Sequence, residues 1–217
     1  MIIDVDGREK LVVCPCSQVI VHTHQMKLAG IPPEFYDVDE RRLEGANGEI
    51  DKYVRRYARS LSEAQAQGLS LLLTGASGTG KSFCSCAAVS IALRCGQTAR
   101  FTTFSEYINE LHASYRDSEV AARLRQEQTC TLFAMDEIGE EVGKAEHQGR
   151  VLREFLGIRR ARNLPTIITT KLSVREFEQR YGDRAISLVS DRFRTFRFTA
   201  EDHRPKMARS RDWERIR

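Results

Sequence analysis

Gly75, Gly80, Lys81 and Ser82 follow the spacing G-x-x-x-x-G-K-S, and each residue type has a mechanical reason to stand there. Glycine reaches backbone angles closed to other residues. Successive N–H groups from Gly75, Ala76, Ser77, Gly78, Thr79, Gly80, Lys81, Ser82 and Phe83 can therefore converge on phosphate oxygens. In such a loop Lys81 reaches the β- and γ-phosphates of ATP, and the Ser82 hydroxyl holds Mg2+. The helix that opens at Ser82 aims the positive end of its dipole at the same anion.

A second group of chemistry-bearing residues lies about 55 positions downstream, where the apolar run Thr131-Leu132-Phe133-Ala134-Met135 ends in Asp136 and Glu137. An acid at the end of a strand beside a phosphate loop ligates Mg2+, and the next acid orients the water that attacks the γ-phosphate. Asp136 takes the first role and Glu137 the second. A further polar strand end, Thr169-Thr170-Lys171, is placed to sense a γ-phosphate.

Such residues need a frame that delivers them to one edge. Leu69 to Thr74, Ala99 to Phe104, Thr131 to Glu137, Pro165 to Lys171 and Thr195 to Thr199 read as strands by their apolar and β-branched content. Between them run helical periodicities. Glu49 to Gln67 carries one inward face and stops at Gly68. Ser105 is placed to cap the next helix, with Tyr107, Ile108, Leu111 and Tyr115 inward. Arg116 to Arg125 is a charged helix. Gln148 to Arg162 turns Val151, Leu152, Phe155, Leu156 and Ile158 inward and Arg150, Arg153, Arg159, Arg160 and Arg162 outward. Strands that alternate with helices imply a parallel sheet covered on both faces.

With 217 residues, 41% apolar and 29% charged, the chain can bury one sizeable core. No run approaches the roughly 18 apolar residues of a membrane span and no secretory leader opens the sequence, so a cytoplasmic location is expected. Most of the six cysteines, Cys14, Cys16, Cys84, Cys86, Cys95 and Cys130, are read as reduced, buried thiols. Lys10 to Val21 is expected to form a small hairpin. Cys14 and Cys16 with His22 and His24 do not follow a standard zinc spacing, and zinc is not expected. Six Arg or Lys residues from Arg204 to Arg217 outnumber Asp212 and Glu214 by the whole net charge of +4, a basic tail suited to phosphates or an acidic partner.

Taken together, Ile31-Pro32-Pro33-Glu34-Phe35, Gly75 to Ser82, Met135 to Gly139, Pro165 to Ser173 and Asp191-Arg192-Phe193 resemble the AAA+ ATPases of the DnaC/DnaI helicase-loader and IstB group. The resemblance covers roughly residues 25–204, leaving an appendage over 1–24 and the tail over 205–217. It implies an α/β P-loop NTPase core, a five-stranded parallel sheet sandwiched by helices with little or no lid domain. It also implies that Ile31 lies against adenine with Phe35 or Tyr36 in support, and that Arg192 is an arginine finger inserted into a neighbour's site, with Arg184 as rival. Members of the group usually carry Asn where Lys171 stands, and a lysine there would touch the γ-phosphate directly.

The function implied is an ATP-dependent loader that hydrolyses ATP as a homo-oligomer, grips single-stranded DNA through Arg116 to Arg125 and binds a hexameric replicative helicase. An IstB-like ATPase that binds DNA for transposition shares the same motifs. A small-molecule kinase is a third reading, disfavoured by Glu137, which suits water activation better than transfer to a metabolite.

Overall fold

The computed structural model describes the backbone of residues 2–5, 8–11, 15–37 and 48–199 and the side chains of 17–37 and 48–199. The basic tail, Cys14 and the side chain of Cys16 lie outside the described residues.

Hydrophobic runs become the strands the sequence requires. A hairpin of β1 (Ile2–Val5) and β2 (Arg8–Leu11) precedes the main sheet. That sheet holds β3 (Ser70–Gly75), β4 (Ala99–Thr103), β5 (Leu132–Ile138), β6 (Thr166–Thr170) and β7 (Phe193–Phe198), all parallel, in the order β4-β5-β6-β3-β7. Strand alternation divides the apolar residues between two cores. Leu71, Leu73, Leu132, Ala134 and Ile167 face one layer, while Leu72, Phe133, Met135 and Ile168 face the other.

The first layer comprises α1 (Pro15–Leu28), α2 (Gly48–Arg59), α3 (Leu61–Gln67) and α4 (Lys81–Arg94). Cys84, Ser85, Cys86, Ala87 and Ala88 make α4 slim enough to be buried between the sheet and its neighbours. The second layer comprises α5 (Phe104–Ser114), α6 (Ser118–Glu127), α7 (Ala145–Ala161), α8 (Val174–Tyr181) and α9 (Asp183–Arg192). At the sheet's edge β7 points Arg194 and Arg197 to solvent, and the Arg194 guanidinium lies 4.5 Å from the centre of the Tyr53 ring, which itself rests on Phe196.

Several local expectations change. The hairpin lies over residues 2–11, and Val19-Ile20-Val21 is helical, because Pro15 takes the first helical position, where its missing N–H costs nothing. His22 on that helix binds the Ser90 hydroxyl at 2.9 Å and accepts from Arg94 at 3.0 Å, fastening α1 to α4. The stretch 49–67 breaks at Ser60 into two helices. Thr103, not Ser105, caps α5, because its hydroxyl accepts from the Glu106 N–H while the Glu106 carboxylate returns to the Thr103 N–H.

The largest departure is Arg159, expected outside and only 1% exposed. Near the end of α7 its guanidinium enters the gap below β5 and β6. Nε donates to Thr166 Oγ1 (2.7 Å), Nη1 to the carbonyls of Gln128 (2.9 Å) and Cys130 (3.0 Å), and Nη2 to that of Pro165 (2.5 Å). Helical spacing put this position on the polar side of the stripe. It gave no hint that loop carbonyls would converge there.

Truncating Arg159 removes the donor to the Gln128 and Cys130 carbonyls, at about 1–3 kcal/mol for each buried group left unpaired. Arg159→Met is expected to lose at least about 3 kcal/mol in urea unfolding, a large share of the 5–15 kcal/mol available to a typical domain. Arg159→Lys is expected to recover only part of it, since an ammonium cannot span the same acceptors.

Candidate nucleotide-binding site

The glycine-lysine loop occupies the C-terminal end of β3, where ligands of open parallel sheets bind. Gly75 adopts φ +144°, and a Cβ there would stand 2.4 Å from the Phe198 carbonyl oxygen of β7. The close approach of two backbones therefore demands glycine. Gly80, at φ +98°, turns the chain into α4. The Lys81 ammonium donates to the carbonyls of Gly75 (2.7 Å) and Ala76 (2.6 Å), and the Thr79 hydroxyl donates to Ala76 (2.9 Å). The loop is thus wound around a buried cation.

Parallel pairing sets Asp136 beside this loop. It is 3% exposed, lies near Ser82, and receives the Thr169 hydroxyl on Oδ1. Burial raises its pKa above the ordinary carboxylate value, while Thr169, Ser82 and the nearby Lys81 ammonium pull it back down. A hydroxyl and a carboxylate side by side form the hard oxygen set that Mg2+ prefers, so Ser82 and Asp136 fit the ion expected of them.

Glu137 sits one residue further, at φ +58°, with its side chain exposed. A non-glycine residue in this region carries a cost of about 1–3 kcal/mol and marks a conformation fixed by its surroundings. Here the cause is visible. Pairing of β5 with β6 shifts from Met135 opposite Ile168 to Ile138 opposite Thr170, so Asp136 and Glu137 together oppose Thr169. The Thr169 hydroxyl that donates to Asp136 also accepts from the Glu137 N–H (3.0 Å), and the Thr170 hydroxyl donates to the Ile138 carbonyl (2.6 Å). Sequence reasoning places both threonines at a phosphate-sensing strand end but misses that they bind β5. Aligning Thr166-Ile167-Ile168-Thr169-Thr170 with Leu132 to Glu137 as neighbouring strands would have shown it.

Lys171 stands at the same edge, with its ammonium 3.1 Å from Glu140. Both side chains are over a third exposed, so this pair contributes at most about 1 kcal/mol and leaves the lysine easily redirected. Ile31 is buried in the core under α4, and Phe35, in a 3-10 turn, meets Phe83 edge to face at 6.4 Å. The proline-stiffened segment therefore lies against the first turn of the loop helix.

Arg192 is not part of this cluster. It closes α9 immediately before Phe193, which pairs with Ser70 at the opposite end of β3, roughly 16–17 Å along the strand from Gly75. Its guanidinium donates to Asn163 (3.2 Å) and contacts Asp191 (3.4 Å), a carboxylate shared with Arg160 at 2.7 Å. Arg184 is exposed in the first turn of α9, about 12 Å from Arg192 along the helix.

The family model described as IstB-like ATP binding protein matches residues 21–194. The chain belongs to this family. As an IstB-like ATP-binding protein of AAA+ fold, it is similar in structure to the crystal structure of the DnaC helicase loader (TM-score 0.69, 17% identity, 77% of this chain and 100% of that one). It is also similar to DnaI (TM-score 0.60, 19% identity, 71% and 87%) and to replication initiator DnaA bound to AMPPCP and single-stranded DNA (TM-score 0.65, 13% identity, 85% and 56%). No curated protein matches the chain in sequence. Among the described residues of this IstB-like chain, no helix is long and apolar enough to cross a membrane.

The raised pKa of Asp136 has a thermodynamic consequence. In the unfolded chain the carboxyl ionises at its ordinary value and in the folded chain only at higher pH, so folding pays for the charge at neutral pH but not in acid. Asp136→Asn is expected to raise the Tm of the nucleotide-free protein at pH 7, with the gain shrinking as pH falls through the carboxylate range. Thermal unfolding across pH checks this.

Proposed function

We propose that this protein hydrolyses ATP as an oligomer and loads a replicative helicase onto single-stranded DNA. The observation that carries the reading is the gathering of Lys81, Ser82, Asp136 and Glu137 at one strand edge while Arg192 stands at the far end of the sheet. Phosphates entering the loop would take over the Lys81 ammonium from the Gly75 and Ala76 carbonyls. Ser82 and Asp136 would hold Mg2+, which neutralises phosphate charge when bound. Glu137, aimed outward from the distorted strand end, would orient the attacking water. Lys171 would exchange Glu140 for the γ-phosphate. Ile31 and Phe35, beside Phe83, would support the adenine.

Separation along β3 supports an arginine acting in trans. Arg192 cannot reach its own subunit's loop, so its role in charge stabilisation would be exercised in a neighbour, and ATP would lie between subunits. Contacts with DNA phosphates would come from the exposed Arg116 and Arg125. Arg123 is less suited, because it faces Glu110 (3.8 Å) and Glu127 (3.7 Å), which also bind Arg100.

The loader reading draws support from the similarity to DnaC over that chain's whole length. The family match favours a second reading, an IstB-like DNA-binding ATPase in transposition. A pull-down with a replicative helicase in the presence of ATP distinguishes them: loading predicts a stable complex, transposition none.

Hydrolysis in trans has its own test. Lys81→Ala and Arg192→Ala are each expected to lower phosphate release by at least about 100-fold, given the 10³–10⁵ attributed to an arginine finger. Mixing the two is expected to restore a measurable fraction, because an interface then forms with an intact loop on one side and an intact arginine on the other. No recovery in the mixture counts against a finger in trans.

A further inference from the structure

The turn that follows Glu137 contains a carboxylate that the nucleotide chemistry does not use. Glu141 has a side chain only 1% exposed. Its Oε2 accepts the Gly139 N–H at 2.8 Å, and its Oε1 accepts both Arg180 Nε at 3.1 Å and the Tyr181 hydroxyl at 2.5 Å. Arg180 also donates through Nη2 to the Glu141 carbonyl at 2.7 Å and to Gln148 at 3.3 Å. One arginine of α8 therefore grips both the side chain and the backbone of a single residue in the turn.

Burying a carboxylate costs several kcal/mol that its partners only repay, and an apolar residue of similar size would stabilise the turn more cheaply. What the charged arrangement does provide is a fixed direction for the Gly139 N–H. Gly139 adopts φ +110° with Leu172 packed where a Cβ would be, its nearest atom at 2.8 Å. Across it the Glu140 N–H donates to the Glu137 carbonyl at 3.1 Å. The Glu137 backbone is thus held on its N–H side by Thr169 and on its carbonyl side by a turn that Glu141 anchors to α8.

We propose that Glu141 is a positioning residue for Glu137, fixing the turn after β5 to Arg180 and Tyr181 so that the Glu137 carboxylate points where water must be oriented. The inference rests on Glu137 having that hydrolytic role. It adds α8 to the machinery, since a displacement of Arg180 and Tyr181 is delivered to the turn after Glu137 through a single buried residue.

Three variants of the full chain test it, with ATP affinity by calorimetry, kcat and KM for phosphate release, and Tm. Glu141→Gln keeps the shape and removes the charge. Its kcat is expected to fall on the order of 10- to 100-fold, the scale of a misplacement near 1 Å, while KM and ATP affinity stay within about twofold. Pairing it with Arg180→Gln removes the unpartnered guanidinium, so Tm is expected to recover and kcat not to. Tyr181→Phe removes one donor without stranding a charge and is expected to lower kcat in the same direction by less, deciding the matter if Glu141→Gln does not fold. An unchanged kcat in a folded variant overturns the proposal, as does a kcat that returns with Tm in the double variant. A wild-type chain that binds ATP without hydrolysing it overturns the hydrolytic reading of Glu137 and this inference with it. A wild type that hydrolyses beside an equally active Glu141→Gln overturns the inference alone.

Discussion

The parallel register of β3, β6 and β5 is the constraint from which the candidate site follows. Because the three strands run the same way and pair without interruption until their last residues, their polar ends arrive together. The interruption itself falls within the candidate site. Thr169 meets two residues of β5 with one hydroxyl, donating to a carboxylate and accepting from the next amide. A valine of equal size would preserve the strand and lose both contacts, so the polar threonine pair is the price of a strand end that presents Asp136 inward and Glu137 outward.

The same register separates the two ends of the molecule. Loop and acids lie at the C-terminal edge, while Arg192, Arg160, Asp191 and Asn163 form a charged group at the opposite one. Under the trans reading proposed above, these two groups would be the halves of a heterologous interface, which closes into a ring or continues as a spiral according to the rotation between subunits.

Fold and chemistry differ in how far the sequence reveals them. The strands were legible because apolar runs bounded by glycine or polar residues have few alternatives in a chain of this kind, and Gly75 to Ser82 because its geometry tolerates little else. Local rules were weaker where tertiary partners decide. Helical periodicity placed Arg159 in solvent, but the carbonyls that bury it come from the segments before β5 and β6. Val19 to Val21 had strand-forming residues and became helix behind Pro15. Glu141 was invisible for a similar reason, since its partners stand some forty positions away and nothing in a turn of acids distinguishes the one that turns inward.

The edge formed by β7 bears on how copies of the chain can meet. A terminal strand offers unpaired amides and carbonyls to any other strand, a standing invitation to sheet extension and aggregation. Arg194 and Arg197 face solvent along that margin, and Tyr53 from α2 folds over it beneath the Arg194 guanidinium. Two such margins brought together would set like charges against each other. Lateral fusion of two sheets across this margin is thereby discouraged.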